Sequence, residues 1–199
     1  MPAKAKPKSG SVGKYVKGES HDSWIVNIVV SAALGHDIPL EKMAATLSNT
    51  EYNPEQFPGL VIRIKEPKTS ALIFSSGKIV CTGGRTLDDV RQSIRKIMKS
   101  LEKINVKIKE EPEIHVQNIV ASGSIGMDLN LNFLAMRLDN TEYEPEQFPG
   151  LVFKMPKAKA TFLLFSNGKV VCTGTKSKEQ LDQVLDQLHD MLVQVIKEK

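Results

Sequence analysis

The chain writes one stretch twice, and that repetition constrains its fold more than any other feature. Residues 50–61 read TEYNPEQFPGLV, and residues 141–152 read TEYEPEQFPGLV. Each is followed by a second shared block, LIFSSGKIVCTG at 72–83 and LLFSNGKVVCTG at 163–174. Every match falls at the same offset of 91 residues, with no gap. The spacing identifies a tandem duplication. A solenoid needs at least about three repeats, so two copies are expected to close on each other about a pseudo-two-fold axis.

Within each copy the same order of elements is legible. Ile25–Ser31 and Val116–Ser122 are β-rich and share Asn-Ile-Val. Leu40, Met43, Ala44 and Leu47 match Leu131, Leu134, Ala135 and Leu138, the i, i+3, i+4, i+7 spacing of a short helix with one buried face. The Glu-Tyr pair before Pro54 or Pro145 predicts a short strand, and Leu60–Ile64 or Leu151–Met155 another. Between them Pro-Glu-Gln-Phe-Pro-Gly makes a stiff loop with Phe57 or Phe148 at its tip, because two prolines fix φ and remove two amide donors. A hairpin follows, Ser70–Phe74 with Ile79–Thr82 and Phe162–Phe165 with Val170–Thr173. Thr86-x-x-Asp89 and Ser177-x-x-Gln180 open a longer amphipathic helix in each copy. Strand, helix, four strands, helix defines an α+β unit with an antiparallel sheet and its helices on one face.

That unit leaves a face uncovered. An antiparallel sheet backed by helices normally alternates apolar and polar residues. Here Leu72-Ile73-Phe74, Ile79-Val80-Cys81, Leu163-Leu164-Phe165 and Val170-Val171-Cys172 are apolar on both faces. If Ile73 and Cys81 face the helices, then Leu72, Phe74, Val80 and Thr82 face away, with Asn27 and Val29 beside them. Two helices per copy cover one face only. Three explanations stay open: misread strand phases, a homodimer contact, or a binding face for something outside the chain. The chemistry on offer is Val, Leu, Thr, Phe and one Asn per copy. That suits the minor groove of A·T pairs, which shows acceptors only, better than the major groove, which is read by Arg, Lys and Gln. Phe57, Phe74, Phe148 and Phe165 would act as wedges between base steps. Arg63, Lys78, Lys154 and Lys169 at the edges would reach phosphates.

Charge bears on the same question. The net charge is +4, and residues 1–20 hold five lysines against one glutamate. With that segment set aside, 22 basic and 22 acidic side chains remain, so a basic nucleic-acid binder is not implied for the folded part. Residues 1–23 read as a disordered basic tail, residues 24–111 as the first repeat and 112–199 as the second. Cys81 and Cys172 are repeat-equivalent and read as small buried hydrophobes. None of the four histidines is duplicated, and no metal-ligand spacing, catalytic spacing or Walker-type loop is present. An enzyme, a resident metal and a bound nucleotide are therefore not expected. No apolar run has the length of a membrane span, so an intracellular location is expected.

At these residues the chain resembles the TATA-box-binding protein family, over about residues 24–197 and through both copies of TEYxPEQFPGLV and SGK(I/V)VCTG. The resemblance implies a saddle of ten antiparallel strands with four helices on the convex side. Its concave side would bind and bend an A·T-rich promoter element, needing no cofactor. Kinking by inserted apolar side chains is a known property of that family, not a deduction from these residues. Carried over by motif, Asn27 and Asn118 become central amides at the pseudo-dyad. Val29, Val120, Val80, Val171, Thr82 and Thr173 line the groove floor, and Leu72 and Leu163 lie on the same face. Phe57 with Phe74 and Phe148 with Phe165 form two wedge pairs. Glu144 and Glu146 resemble contacts for transcription factor B, which with the RNA polymerase machinery is an implied partner. Gln-Phe-Pro-Gly in both loops has an archaeal look, implying the cytoplasm and nucleoid, or the nucleus in a eukaryote. The basic lead departs from the usual short archaeal N-terminus.

Overall fold

The computed structural model describes residues 16–17 and 22–197. The elements are β1 (Val16–Lys17), β2 (Asp22–Ala33), α1 (Leu40–Thr46), β3 (Thr50–Glu51), β4 (Gly59–Ile64), β5 (Thr69–Phe74), β6 (Lys78–Gly84) and α2 (Leu87–Glu102), then β7 (His115–Ser124), α3 (Leu131–Arg137), β8 (Thr141–Glu142), β9 (Leu151–Met155), β10 (Ala160–Leu164), β11 (Lys169–Thr175) and α4 (Lys178–Lys197). One sheet runs in the order β3-β4-β5-β6-β2-β7-β11-β10-β9-β8, with β1 added beside β2. The ten-stranded path is antiparallel throughout and joins the two copies at β2 and β7. Ile28 pairs Ile119, Asn27 pairs Val120 and Val29 pairs Asn118, so the pseudo-dyad passes through the Ile28–Ile119 pair.

The helices cover one face. Val30, Ile73, Ile79 and Cys81 are sealed beneath α1 and α2, and the repeat-equivalent Ala121, Leu164, Val170 and Cys172 beneath α3 and α4. Each buried leucine or isoleucine is worth about 2 kcal/mol over exposure, so covering this face supplies much of the fold's stability. Each copy has its own core, and the repeat-equivalent pair Ile25 and Val116 packs against both. The copies differ in filling: Phe153 and Phe162 stack at 6.3 Å where the first repeat has Ile62 and Ala71.

The helix starts follow the sequence. Thr86 Oγ1 accepts from Asp89 N at 3.0 Å while Asp89 Oδ2 accepts from Thr86 N at 3.0 Å, a complete capping box. In α4, Gln180 N donates to Ser177 Oγ at 3.1 Å, but the Gln180 side chain accepts from Lys176 N instead.

Some boundaries differ from expectation. The first strand of each copy is longer than predicted, and β2 starts at Asp22, inside the segment read as tail. Val16–Lys17, also expected to lack structure, pairs with Ser23 and Asp22. The physical cause is an open edge: β6 pairs β2 only from Ile28 onward, so the earlier backbone groups of β2 need another partner. The rest of the lead lies outside the described residues. Tyr52 and Tyr143 fall just past β3 and β8. Phe165 follows the last residue of β10 and is tied by its N–H to Lys169 O at 3.0 Å.

Candidate nucleic-acid interface

Alternation along the strands puts one set of side chains on the face away from the helices. Leu72 pairs Val80 and Val61, while Leu163 pairs Val171 and Val152. All six are half-buried, in contrast to the sealed residues between them. Val29, Val120, Thr82 and Thr173 share this face and this partial exposure. The misphased-strand explanation is thereby removed.

The two asparagines sit at bulges. Register shifts fall between Ile28 and Val30 on the β6 side of β2, and between Cys172 and Thr175 in β11. There Gly83 and Gly174 adopt φ of 99° and 103°, which a side chain would resist. The bulge turns each glycine N–H inward. Gly83 N donates to Asn27 Oδ1 at 2.7 Å, and Gly174 N to Asn118 Oδ1 at 2.8 Å. With the carbonyl oxygen occupied, the amide orientation is set by its hydrogen-bond network. Asn27 Nδ2 donates to Thr82 Oγ1 at 3.2 Å and Asn118 Nδ2 to Thr173 Oγ1 at 3.0 Å. The threonine hydroxyls donate back to the same carbonyl oxygens, Thr82 Oγ1 to Asn27 Oδ1 at 3.2 Å and Thr173 Oγ1 to Asn118 Oδ1 at 3.3 Å, so the second N–H of each amide is what remains for an acceptor outside the protein. Both copies thus present donors beside an apolar floor.

At the two ends of the face the phenylalanines meet. Phe57 lies edge-on to Phe74 at 6.0 Å between centroids, and Phe148 to Phe165 at 5.9 Å. Phe57 and Phe148 remain 44% and 42% exposed, which is unusual for so large an apolar ring. The pairs rest on bare backbone: a Cβ on Gly59 would come within 2.7 Å of Phe57 Cε1, and one on Gly150 within 2.6 Å of Phe148 Cε1. Backbone bonds from Phe57 N to Asn53 O (3.0 Å) and from Phe148 N to Glu144 O (2.9 Å) close the loops.

The flanking cations are not alike. Lys78 and Lys169 open β6 and β11 on the same register as the floor and are exposed. Arg63 instead holds Glu51 through Nη2 at 3.1 Å, a bond that raises its pKa, and Lys154 is paired with Glu142. Glu144 and Glu146 are exposed in the second loop, where Glu144 occupies the position of Asn53 in the first. The thiols of Cys81 and Cys172 lie on the helix side, and burial pushes them up to about 11 and about 12.

Several residues of this face escaped the sequence. Val61, Val152, Ser31 and Ser122 belong to the floor by pairing, and strict alternation from Leu60 and Leu151 was the available signal for the valines. Trp24 pairs Ser122 and His115 pairs Ser31, which brings both onto the face. Bulges within β2 and β7 change their side relative to simple alternation.

Fold and face together define a class: a duplicated α+β protein that holds open a two-fold-repeated apolar sheet surface with amide donors at its centre. A family model described as "Transcription factor TFIID (or TATA-binding protein, TBP)" matches residues 22–104 and again 113–195. The chain belongs to that transcription-factor family, with the saddle of ten antiparallel strands and four convex-side helices that the resemblance implied. It is 53% identical over 158 residues to the TATA-box-binding protein of Methanothermobacter thermautotrophicus, covering 79% of this chain and 87% of that one. It is 46% identical over 170 residues to the TATA-box-binding protein of Archaeoglobus fulgidus, covering 84% and 93%. The solved structure titled "Methanococcus jannaschii TBP" matches with a TM-score of 0.82 at 46% identity, over 89% of this chain and 99% of that one. Among the described residues no three or more His, Cys, Asp or Glu gather to hold a metal ion, and no helix is long and apolar enough to cross a membrane.

Proposed function

We propose that the concave face binds the minor groove of an A·T-rich TATA element and bends promoter DNA, and that the complex recruits transcription factor B and RNA polymerase. The observation that carries this is the donor arrangement at the dyad. Each asparagine carbonyl is already satisfied by a glycine N–H, so the amides offer only hydrogens outward. A·T pairs in the minor groove offer only acceptors, and the guanine amino group of a G·C pair would meet a donor with a donor. Val29, Val80, Leu72 and their second-copy counterparts Val120, Val171 and Leu163 pack on the groove floor. The Phe57–Phe74 and Phe148–Phe165 pairs enter the base stack at either end, the wedge mode for which this family is the usual illustration. Lys78 and Lys169 reach phosphates directly, and Arg63 and Lys154 after releasing Glu51 and Glu142. Glu144 and Glu146 form part of the transcription factor B contact.

Mobility shift with a TATA duplex against a G·C-substituted one tests the reading: retarded migration of the first alone supports it, and equal binding ends it. End-to-end fluorescence transfer tests the wedges. In the Phe148→Ala, Phe165→Ala variant, bending should vanish along with most of the affinity. Without DNA the same exposed floor favours self-association of two copies; sedimentation should then show a dimer that TATA duplex converts to a one-to-one complex.

A further inference from the structure

The floor of the concave face cannot tell one end of a promoter from the other. Asn27 and Asn118, Leu72 and Leu163, Thr82 and Thr173 are identical residues in register, and so are the valines and the phenylalanine pairs. Rotating the protein about its pseudo-dyad returns these groups to the same places, and the flanking pairs that differ, Ser70 with Thr161 and Arg63 with Lys154, keep a hydroxyl and a positive charge at each end. An asymmetric duplex would be bound equally in both directions by such a surface.

Two diagonal corners break this symmetry. Trp24 pairs Ser122, which pairs Val171, so the indole extends the second repeat's row across the dyad onto β2. His115 pairs Ser31, which pairs Val80, the same position in the opposite row. Trp24 is 38% exposed and His115 is exposed. The bulge residues beside them differ in the same sense, Val26 at one corner and Gln117 at the other. Gln117 Nε2 donates to Ser31 Oγ at 2.7 Å, which fixes that side chain toward the concave face. An acid precedes each corner, Asp22 in one case and Glu113 (3.9 Å from His115 Nε2) in the other, so acidity does not distinguish them. One corner is apolar with an aromatic plate; the other is a cluster of hydrogen-bonding groups.

We propose that Trp24 with Val26 and His115 with Gln117 set the direction in which this protein sits on an asymmetric A·T element. The inference rests on the DNA-binding reading above. An A-tract is stiff and has a narrow minor groove of enhanced negative potential, whereas TA steps are flexible and unstack easily. The His115–Gln117 corner takes the A-tract half, where its N–H groups meet the backbone. The Trp24–Val26 corner takes the TA-rich half, where the indole packs on sugars of the opened groove.

The test is orientation measured among bound complexes, a ratio that does not depend on affinity. A donor dye at Met136→Cys reports from α3, since Met136 is 78% exposed while the two native thiols are buried. The acceptor is placed at one end or the other of a duplex in which TATA is followed by an A-tract. The unaltered corners should give a bias of about 5-fold, the net worth of roughly one hydrogen bond. Trp24→His with Val26→Gln makes both corners polar and should bring the ratio to about one; His115→Trp with Gln117→Val makes both apolar and should do the same. Exchanging all four should invert the preference. Equal orientations with the native corners, or a bias that survives both symmetrised variants, overturns the proposal. Failure of the native protein to bind any TATA duplex would instead refute the DNA-binding reading itself.

Discussion

At the scale of single residues, the site depends on what is missing as much as on what is present. Gly59 and Gly150 give the phenylalanine pairs bare backbone to rest on. Gly150→Ala should leave thermal stability nearly unchanged, because the displaced Phe148 ring is already half in solvent and can swing away. DNA bending should nevertheless fall strongly, since the wedge then leaves its place beside Phe165. Normal bending in fluorescence transfer with this variant would show that ring placement is unimportant. The two thiols offer a test of opposite kind. Burial raises both above their ordinary value of 9.0, to about 11 and about 12, so the folded state holds its protons longer than the unfolded one. Their contribution is complete below pH 9 and is lost as pH rises from there through the folded values. Urea unfolding at pH 8 and pH 10 should show native protein losing about 1 kcal/mol per thiol more than the Cys81→Ala, Cys172→Ala variant. Parallel losses would contradict that burial.

At the scale of elements, the duplication hides unequal solutions. Both long helices start with the predicted capping pattern, but only α2 closes it reciprocally, through Thr86 and Asp89. Thr86→Ala should cost about 1 kcal/mol, or about 3 °C in Tm for a domain this size. Ser177→Ala in α4 should cost less, because Gln180 satisfies Lys176 and not its own cap residue. Calorimetry of the two variants checks the order. The strand pattern was legible because apolar residues stand on both faces of the hairpins, and the helix positions because their apolar spacing repeats. The short strand β1 was not legible. Val16–Lys17 pairs to fill an edge that β6 leaves open, and nothing local in the basic lead signals that vacancy.

At the scale of the whole molecule, the +4 charge resides in the lead and the saddle is balanced. Lys78 and Lys169 are exposed at the edge of the face, while Arg63 and Lys154 begin paired with carboxylates. Affinity for a TATA duplex should therefore fall with salt along a log–log slope of about −2 to −4, the slope for a few phosphate contacts. Titrations between low and moderate salt measure it, and a much steeper slope would mean that the phosphate contacts are undercounted. The duplication, the order of elements, the uncovered apolar face and the amides and rings upon it were legible in the chain alone, because they depend on local periodicity and on a gapless repeat. It took the folded sheet to fix which amide hydrogens face outward, to give Arg63 and Lys154 their partners, and to bring Trp24 and His115 onto the face at all. Those facts depend on bulges and on the antiparallel register of β2 against β7, where one inserted residue moves a side chain to the other side of the sheet. Pairing between segments about 91 residues apart is set by the packing of two cores against each other, and no local pattern encodes it.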